Sequence, residues 1–447
     1  MEMSDSQEKR PCVVLVMSPA TYRARAFARA GERIGLDLIR AIDLPDALTE
    51  RRRVDLALDF AEPDAAVARI VAIARSREAV AAILAVDDRG ALIAAQASAA
   101  LGLAHNDPDS ALAARDKFAM RERLAAGGVP VPLYRRFPAS IDPATIASGI
   151  AYPCVVKPLL LSGSRGVIRA DTPDELVAAF HRTRSILEAS GLAANEHFIL
   201  IEGFVPGVEV ALEGLLTDGS LQTLALFDKP DPLDGPFFEE TIYVTPSRLP
   251  GDVQAAVSRR TAEAAAAIGL REGPVHAELR IDRERGDIWL IELAGRSIGG
   301  LCSSVLEFGA GMGLEELILR HAARLPLPST DRSAGAAGVM MIPIPKRGIL
   351  RGVDGVEAAM AVPGVTGIEI TAPLNQPIVP LPEGESYLGF IFARLETPET
   401  TEAALREAHE RLSFRIDPLI PLHIIPAKGK SSAAAVGRKS PPIVGEG

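Results

Sequence analysis

Two glutamates past the middle of the chain stand where an acid-based metal site would need them. Val275-His276-Ala277-Glu278-Leu279-Arg280-Ile281 and Ile288-Trp289-Leu290-Ile291-Glu292-Leu293-Ala294-Gly295-Arg296 read as paired strands joined by a turn at Gly286. Carboxylates on adjacent strands can converge on one face and hold Mg²⁺, a hard cation that takes oxygen ligands. Arg296 and Gly299-Gly300 follow directly, a fixed cation and pliable backbone beside the acidic pair. Upstream, Val155-Val156-Lys157-Pro158 ends an apolar strand on a lysine, which is costly to bury unless it meets an anion. Leu161-Ser162-Gly163-Ser164-Arg165-Gly166 comes next, and successive amides in such a Ser/Gly loop make an anion-binding concavity. A third segment, Phe198 to Glu209, runs an apolar strand into Glu202, then a connector through Val205, then Glu209. That pattern suits an apolar slot for an adenine ring with a carboxylate for ribose hydroxyls. Taken alone, each segment also fits something plainer: a surface lysine with a flexible hairpin tip, a hairpin with charged rims, or two solvent-facing glutamates.

Other chemistries are excluded. The Gly429-Lys430-Ser431 triplet lacks the earlier glycine of a Walker loop, because position 424 is Ile424, and no His-Glu-x-x-His occurs. Lys and Arg number 48 against 58 Asp and Glu, a net charge of −10, so the chain lacks the cationic excess that coats nucleic acid. Three scattered cysteines, Cys12, Cys154 and Cys302, build neither a disulfide framework nor a Cys-rich zinc site and suit a reducing cytosol. Apolar runs such as Ala79 to Val86 fall short of the ~20 residues that span a bilayer, and MEMSDSQEKR has no apolar signal stretch. A cytoplasmic protein without nucleic-acid or membrane partners is expected.

Elements must position these groups. With 447 residues, about three domains are expected at roughly 150 residues each. Residues 10–104 alternate strands (Cys12–Met17, Leu36–Ala41, Val54–Phe60, Val80–Val86) with helices, the pattern of a parallel α/β domain. Ser18 is expected to cap a helix reaching Ile34. Asp87 and Asp88, at a strand's carboxyl end, fit a pocket rim and, more commonly, helix caps. Asn106–Leu133 reads as one helix closed by Gly127-Gly128 and blocked by Pro130 and Pro132, within a second domain over residues 105–330. Thr217-Asp218-Gly219-Ser220 marks a hairpin. Gly-rich Ala334–Gly338 marks a boundary before a small α+β domain, residues 334–426, and residues 427–447 have the composition of a disordered tail.

In this order, the segments resemble the ATP-grasp superfamily, most closely its carboxylate–amine ligase branch, which includes L-amino acid ligases. The resemblance covers roughly residues 10–415 and includes Arg115-Asp116-Lys117-Phe118, like the family's Asp-Lys segment. It implies an ATP-grasp fold, α/β and α+β, with an N-terminal parallel α/β domain and a small C-terminal α+β domain. It further implies that Lys117 and Lys157 contact nucleotide phosphates under a loop of Ser162, Gly163, Ser164 and Gly166. Glu202 and Val205 would line the adenine hinge and Glu209 would bind ribose. Glu278 and Glu292 would hold Mg²⁺, with Mn²⁺ as an alternative, and Arg296 would neutralise the transferring phosphoryl group. Glu240 and Tyr243 match the spacing of a Glu-x-x-His substrate element with Tyr in place of His, and His276 and Gly299 join the substrate side. The stretch Lys229–Tyr243 would be a second lid. Relatives commonly carry Asn two residues after the second metal-binding Glu, where this chain has Ala294. The implied function is ATP-dependent joining of a carboxylate, of an amino acid, to an amine through an acyl phosphate, releasing ADP and phosphate. Small-molecule partners and a homodimer fit that reading. A bicarbonate-using carboxylase and a non-catalytic ATP-binding protein are the alternatives.

Overall fold

The structure, a computed structural model, describes residues 10–419 apart from residues 20, 49–53, 78–79 and 283. The expected tail lies outside the described residues. β1 (Cys12–Met17), α1 (Ala24–Ile34), β2 (Asp37–Asp43), β3 (Leu56–Leu58), α2 (Pro63–Arg75), β4 (Val80–Ala85) and α3 (Ala91–Leu101) form the N-terminal unit. Its sheet is parallel throughout, in the order β3-β2-β1-β4. Side chains alternate across a strand, so Val13, Leu15 and Met17 enter one apolar core while Cys12, Val14 and Val16 enter another. Both faces of β1 are therefore covered, as the unbroken apolar run of CVVLVM requires. Ser18 is not the cap of α1: it lies ahead of the helix, and its N–H donates to Asp87 at 2.7 Å.

The single helix expected from Asn106 is two, α4 (Pro108–Arg115) and α5 (Lys117–Ala126). Asp116 between them is extended, and its carboxylate accepts from the N–H groups of Phe118 and Ala119 at 2.8 and 3.0 Å. This N-cap restarts the helix and sets Lys117 on its first turn.

β5 (Tyr134–Pro138), β6 (Cys154–Pro158), β7 (Ile168–Ala170), α6 (Pro173–Glu188) and β8 (Phe198–Gly203) follow. The sheet order is β5-β8-β6-β7, all antiparallel. Cys154 and Val156 pack with Phe180 and Leu187 of α6. By the two-residue period, Val155 and Lys157 then face the other way, into a cleft.

The cleft's other wall is an eight-stranded sheet. β9 (Val208–Thr217), β10 (Ser220–Lys229), β11 (Ile242–Thr245), α7 (Gly251–Ile268), β12 (Gly273–Ile281), β13 (Ile288–Ala294), β14 (Glu307–Phe308), β15 (Met312–Gly313) and α8 (Leu314–Ala322) lead to β16 (Ala336–Ile342). Beyond it come β17 (Gly348–Asp354), α9 (Val356–Met360), β18 (Val365–Ile370), β19 (Pro377–Ile378), β20 (Gly389–Leu395), α10 (Pro398–Glu410) and β21 (Ser413–Asp417). The large sheet runs β13-β12-β9-β10-β11-β16-β20-β18, so strands from both sides of residues 330–334 share it, and β19-β17-β21 form a smaller one. The β9–β10 hairpin turns at Asp218 and Gly219, both at positive φ, 51° and 85°.

Three alternations aim the polar groups. Val275, Ala277, Leu279 and Ile281 of β12 join one core with Val210, Leu212 and Leu216 of β9 and residues of α7. The complementary sets, His276, Glu278 and Arg280 on β12 and Glu209 and Glu213 on β9, face the cleft side. On β13 a bulge shifts register, pairing Glu278 with Glu292 and Leu279 with Leu290. Ile291 is the extra residue, which brings Glu292 to the same face as Glu278.

Candidate active site

Between the two sheets lies a cavity of about 680 Å³. Lys117, Lys157, Ser162, Gly163, Ser164, Glu202, Val205, Glu209, Glu240, Glu278 and Glu292 all line it, although they come from seven separate segments. Gly166, Tyr243, His276, Arg296 and Gly299 lie outside its lining.

At the cationic end, Lys117 donates to the Leu161 carbonyl at 2.8 Å and lies 3.8 Å from Glu292. Lys157 pairs with Glu202, which also takes Arg121 at 2.9 and 3.3 Å. Burial alone would raise the Glu202 carboxyl, but Arg121 and Lys157 outweigh it and hold it at about 2. The Glu202 carboxylate is thus committed to fixing Lys157, and at the hinge it leaves backbone to offer. Val205 supplies its carbonyl to Arg280 at 2.7 Å.

The loop over this end has Gly163, Ser164 and Gly166 at φ of 63°, 55° and 73°. Left-handed residues in succession turn neighbouring amides toward one point. The loop is tied to the C-terminal region. Gly166 N–H donates to the Pro382 carbonyl at 2.8 Å, and Arg165 pairs with Glu385 at 3.3 Å. Arg182 holds Glu383 through two bonds, 2.6 and 3.0 Å.

At the acidic end, Glu209, Glu240 and Glu278 bring carboxylate oxygens within 4.8 Å of one another. The Lys229 ammonium sits among them, 2.7 Å from Glu209, 2.5 Å from Glu240 and 3.1 Å from Glu278. Burial would lower Lys229, but the three acids hold it well above its ordinary value. Glu240 is pushed up to about 7 by burial and by Glu278, against Lys229. Burial would raise Glu278 too, yet Lys229 and His276 keep it well below the usual carboxylate range. His276 pairs through Nδ1 with buried Glu213, its Nε2 is 3.6 Å from Glu278, and these acids overcome burial to hold it at about 9.

Tyr243 is a fully buried wall behind Lys229, whose ammonium stands 5.0 Å from its ring centroid. Gly299 is exposed. Arg296 donates Nε and Nη2 to the two oxygens of Asp88, 2.8 Å each, a bidentate pair between β13's end and the N-terminal unit. The partner raises the guanidinium further despite burial. Asp88 is thereby more than a helix cap.

Lys229, Arg280, Arg121 and Glu213 were not singled out from sequence. Lys229 closes the apolar strand Leu224-Ala225-Leu226-Phe227-Asp228-Lys229, the very signal that marked Lys157, and Arg280 is one strand period from Glu278. Of the stretch 229–243 expected as a second lid, Lys229 ends β10 and Ile242 and Tyr243 belong to β11, and the connection between them puts Leu233, Phe238 and Glu240 on the cavity's lining. Gly295-Arg296-Ser297-Ile298-Gly299 also fits the Gly-x-Ser-x-Gly pattern of nucleophile elbows. Ser297 is 1% exposed, and its Oγ has no hydrogen-bond partner among the described residues, so no base activates it.

Comparison with known proteins agrees with this geometry. Residues 150–305 match the ATP-grasp domain family, and residues 340–417 match L-amino acid ligase C-terminal domain 2. An uncharacterised Sinorhizobium fredii protein is 25% identical over 317 residues, 71% of this chain and 64% of its own length. The alanine–anticapsin ligase of Bacillus subtilis is 26% identical over 240 residues, half of each chain. The chain thus spans between half and just under two thirds of these relatives' lengths. The crystal structure of L-amino acid ligase from Bacillus licheniformis superposes with a TM-score of 0.76 at 26% identity, covering 92% of this chain and all of that one. The chain thus has an ATP-grasp fold, with a match to the ATP-grasp domain family over residues 150–305 and to the L-amino acid ligase C-terminal domain over residues 340–417.

Proposed function

We propose that this protein is an ATP-dependent carboxylate–amine ligase that joins an amino acid's carboxylate to an amine and releases ADP and phosphate. The observation that supports it most is the single cavity in which two lysines and an amide-rich loop stand opposite a cluster of acids. Lys117 and Lys157 would receive the phosphates, the 162–166 loop would cover them, and the connector at Val205 would seat the adenine with Glu209 toward the ribose. The hard oxygen donors of Glu278 and Glu292, paired across β12 and β13, fit a magnesium ion. When bound, the ion supplies charge neutralisation for phosphate oxygens.

A carboxylate is a poor acyl donor. Transfer of the γ-phosphoryl group forms a carboxyl–phosphate bond and breaks the bond to ADP. The amine nitrogen then attacks the acyl carbon, the carbon–oxygen bond to phosphate breaks, and the amine loses its proton. Arg296 would steady the developing charge, positioned by Asp88. Glu240, a residue of the second lid that lines the cavity, would receive a substrate ammonium. Water must be kept from the acyl phosphate, which gives the two covering segments their purpose.

The test is phosphate release over pairs of amino acids, with mass analysis of the product. Release of ADP and phosphate that requires both an acid and an amine is expected. AMP and pyrophosphate would exclude the reading, and turnover dependent on bicarbonate alone would favour a carboxylase.

A further inference from the structure

A second cleft, with about 890 Å³ of empty space, lies between β4, α3 and α4 on one side and the start of β12 and the end of α8 on the other. It shares no lining residue with the cavity described above. Nine of its 23 lining residues are alanine, among them Ala82, Ala94, Ala111 and Ala114. Such side chains stop at Cβ and leave the space open, whereas packed interiors keep few voids larger than a water molecule.

Most polar groups around it are already engaged. His321 Nε2 meets Thr217 Oγ1 at 2.8 Å, Arg324 pairs with Glu272 at 3.2 Å, and Asn106 is bonded to the backbone of Arg271 and Glu272. One is not. The Arg115 guanidinium, also in the lining, has neither ion pair nor hydrogen bond among the described residues, and it acts on Asp88 only as a nearby charge. A guanidinium presents a planar fork that matches a carboxylate.

We propose that this cleft binds a small aliphatic carboxylate, its anionic end at Arg115 and its chain along the alanines of the wall. Asp88, which orients Arg296, lies on the cleft's lining, so an occupant would sit beside the partner of Arg296.

The experiment is isothermal titration of the full chain, without nucleotide, with sodium 4-methylpentanoate. Saturable one-to-one binding is expected. It should weaken about tenfold or more in Arg115→Gln, which removes the charge-assisted bond, and in Ala94→Leu, which fills the wall. It should persist in Glu292→Ala, which alters only the other cavity. Absence of saturable binding up to about 10 mM, or equal affinity in wild type and Arg115→Gln, overturns the proposal. Binding of inorganic phosphate in place of the carboxylate overturns the ligand class. Should Ala94→Leu fold poorly, Arg115→Gln decides alone, because that side chain makes no hydrogen bond or ion pair among the described residues.

Discussion

Lys229→Met would strip the cation from the acidic end of the active site. The Lys229 side chain is 3% exposed and contacts three carboxylates that are themselves at most 20% exposed. Breaking a buried pair from one side costs about 3–5 kcal/mol, because the other charge stays behind uncompensated. Glu209 would keep Arg280 at 2.8 Å and Glu278 would keep His276 at 3.6 Å, while Glu240 would have no cation among the described residues. The compensated Glu209 places the expected loss at the low end, about 3 kcal/mol at about pH 8. Without the ammonium, burial and repulsion from Glu278 raise Glu240 further above its unfolded value. A carboxyl raised on folding gives stability that is present below the unfolded pKa and lost as pH rises through the folded one. The deficit should therefore shrink when the pH is lowered to about 5.5, where Glu240 takes up a proton. Urea unfolding of both proteins at the two pH values measures it. A deficit below about 1 kcal/mol at the higher pH, or one that does not change with pH, refutes the electrostatic account of this cluster.

Glu292→Ala should lower kcat by roughly a hundredfold or more. Its stability should stay within roughly 0.5 kcal/mol of wild type, since the side chain is 31% exposed and its nearest cation is Lys117 at 3.8 Å; kcat and thermal melting together check both halves. Glu240, raised to about 7, must ionise before it can hold an ammonium, so kcat/KM for the amine should fall as pH drops below that value. A pH–rate profile of Glu240→Gln should lack this acid limb.

Much of this architecture was legible in the chain because two-residue alternation is a strong signal. The parallel N-terminal sheet follows from apolar runs such as Cys12–Met17, and Lys157 and Glu278 stand out as charges on apolar strands. Less legible was what charges do to one another across the fold. Arg121 sits on a helix and Glu202 on a strand 81 residues on, and nothing local announces that they meet. Arg296 and Asp88 are 208 residues apart, and locally they read as a fixed cation beside the acidic pair and as a pocket rim or helix cap. The break at Asp116 was missed because helical periodicity continues across it, while a capping carboxylate acts through hydrogen bonds that periodicity does not see. The continuity of the large sheet through β16 was hidden for a similar reason. The Gly-rich stretch Ala334–Gly338 reads as a boundary, yet Ala336 and Ala337 open β16 and are buried between β11 and β20.

The ties between the 162–166 loop and residues 382–385 carry a kinetic implication. A nucleotide that entered by displacing the loop would have to part Gly166 from Pro382 and Arg165 from Glu385 at the same time. Admission of one reactant and the posture of the carboxyl-terminal region then become a single event. Because Arg182 grips Glu383 from the helix that backs the lysine-bearing sheet, and residues 382–385 lead into β20 of the opposite wall, these ties latch the two walls of the cleft to each other.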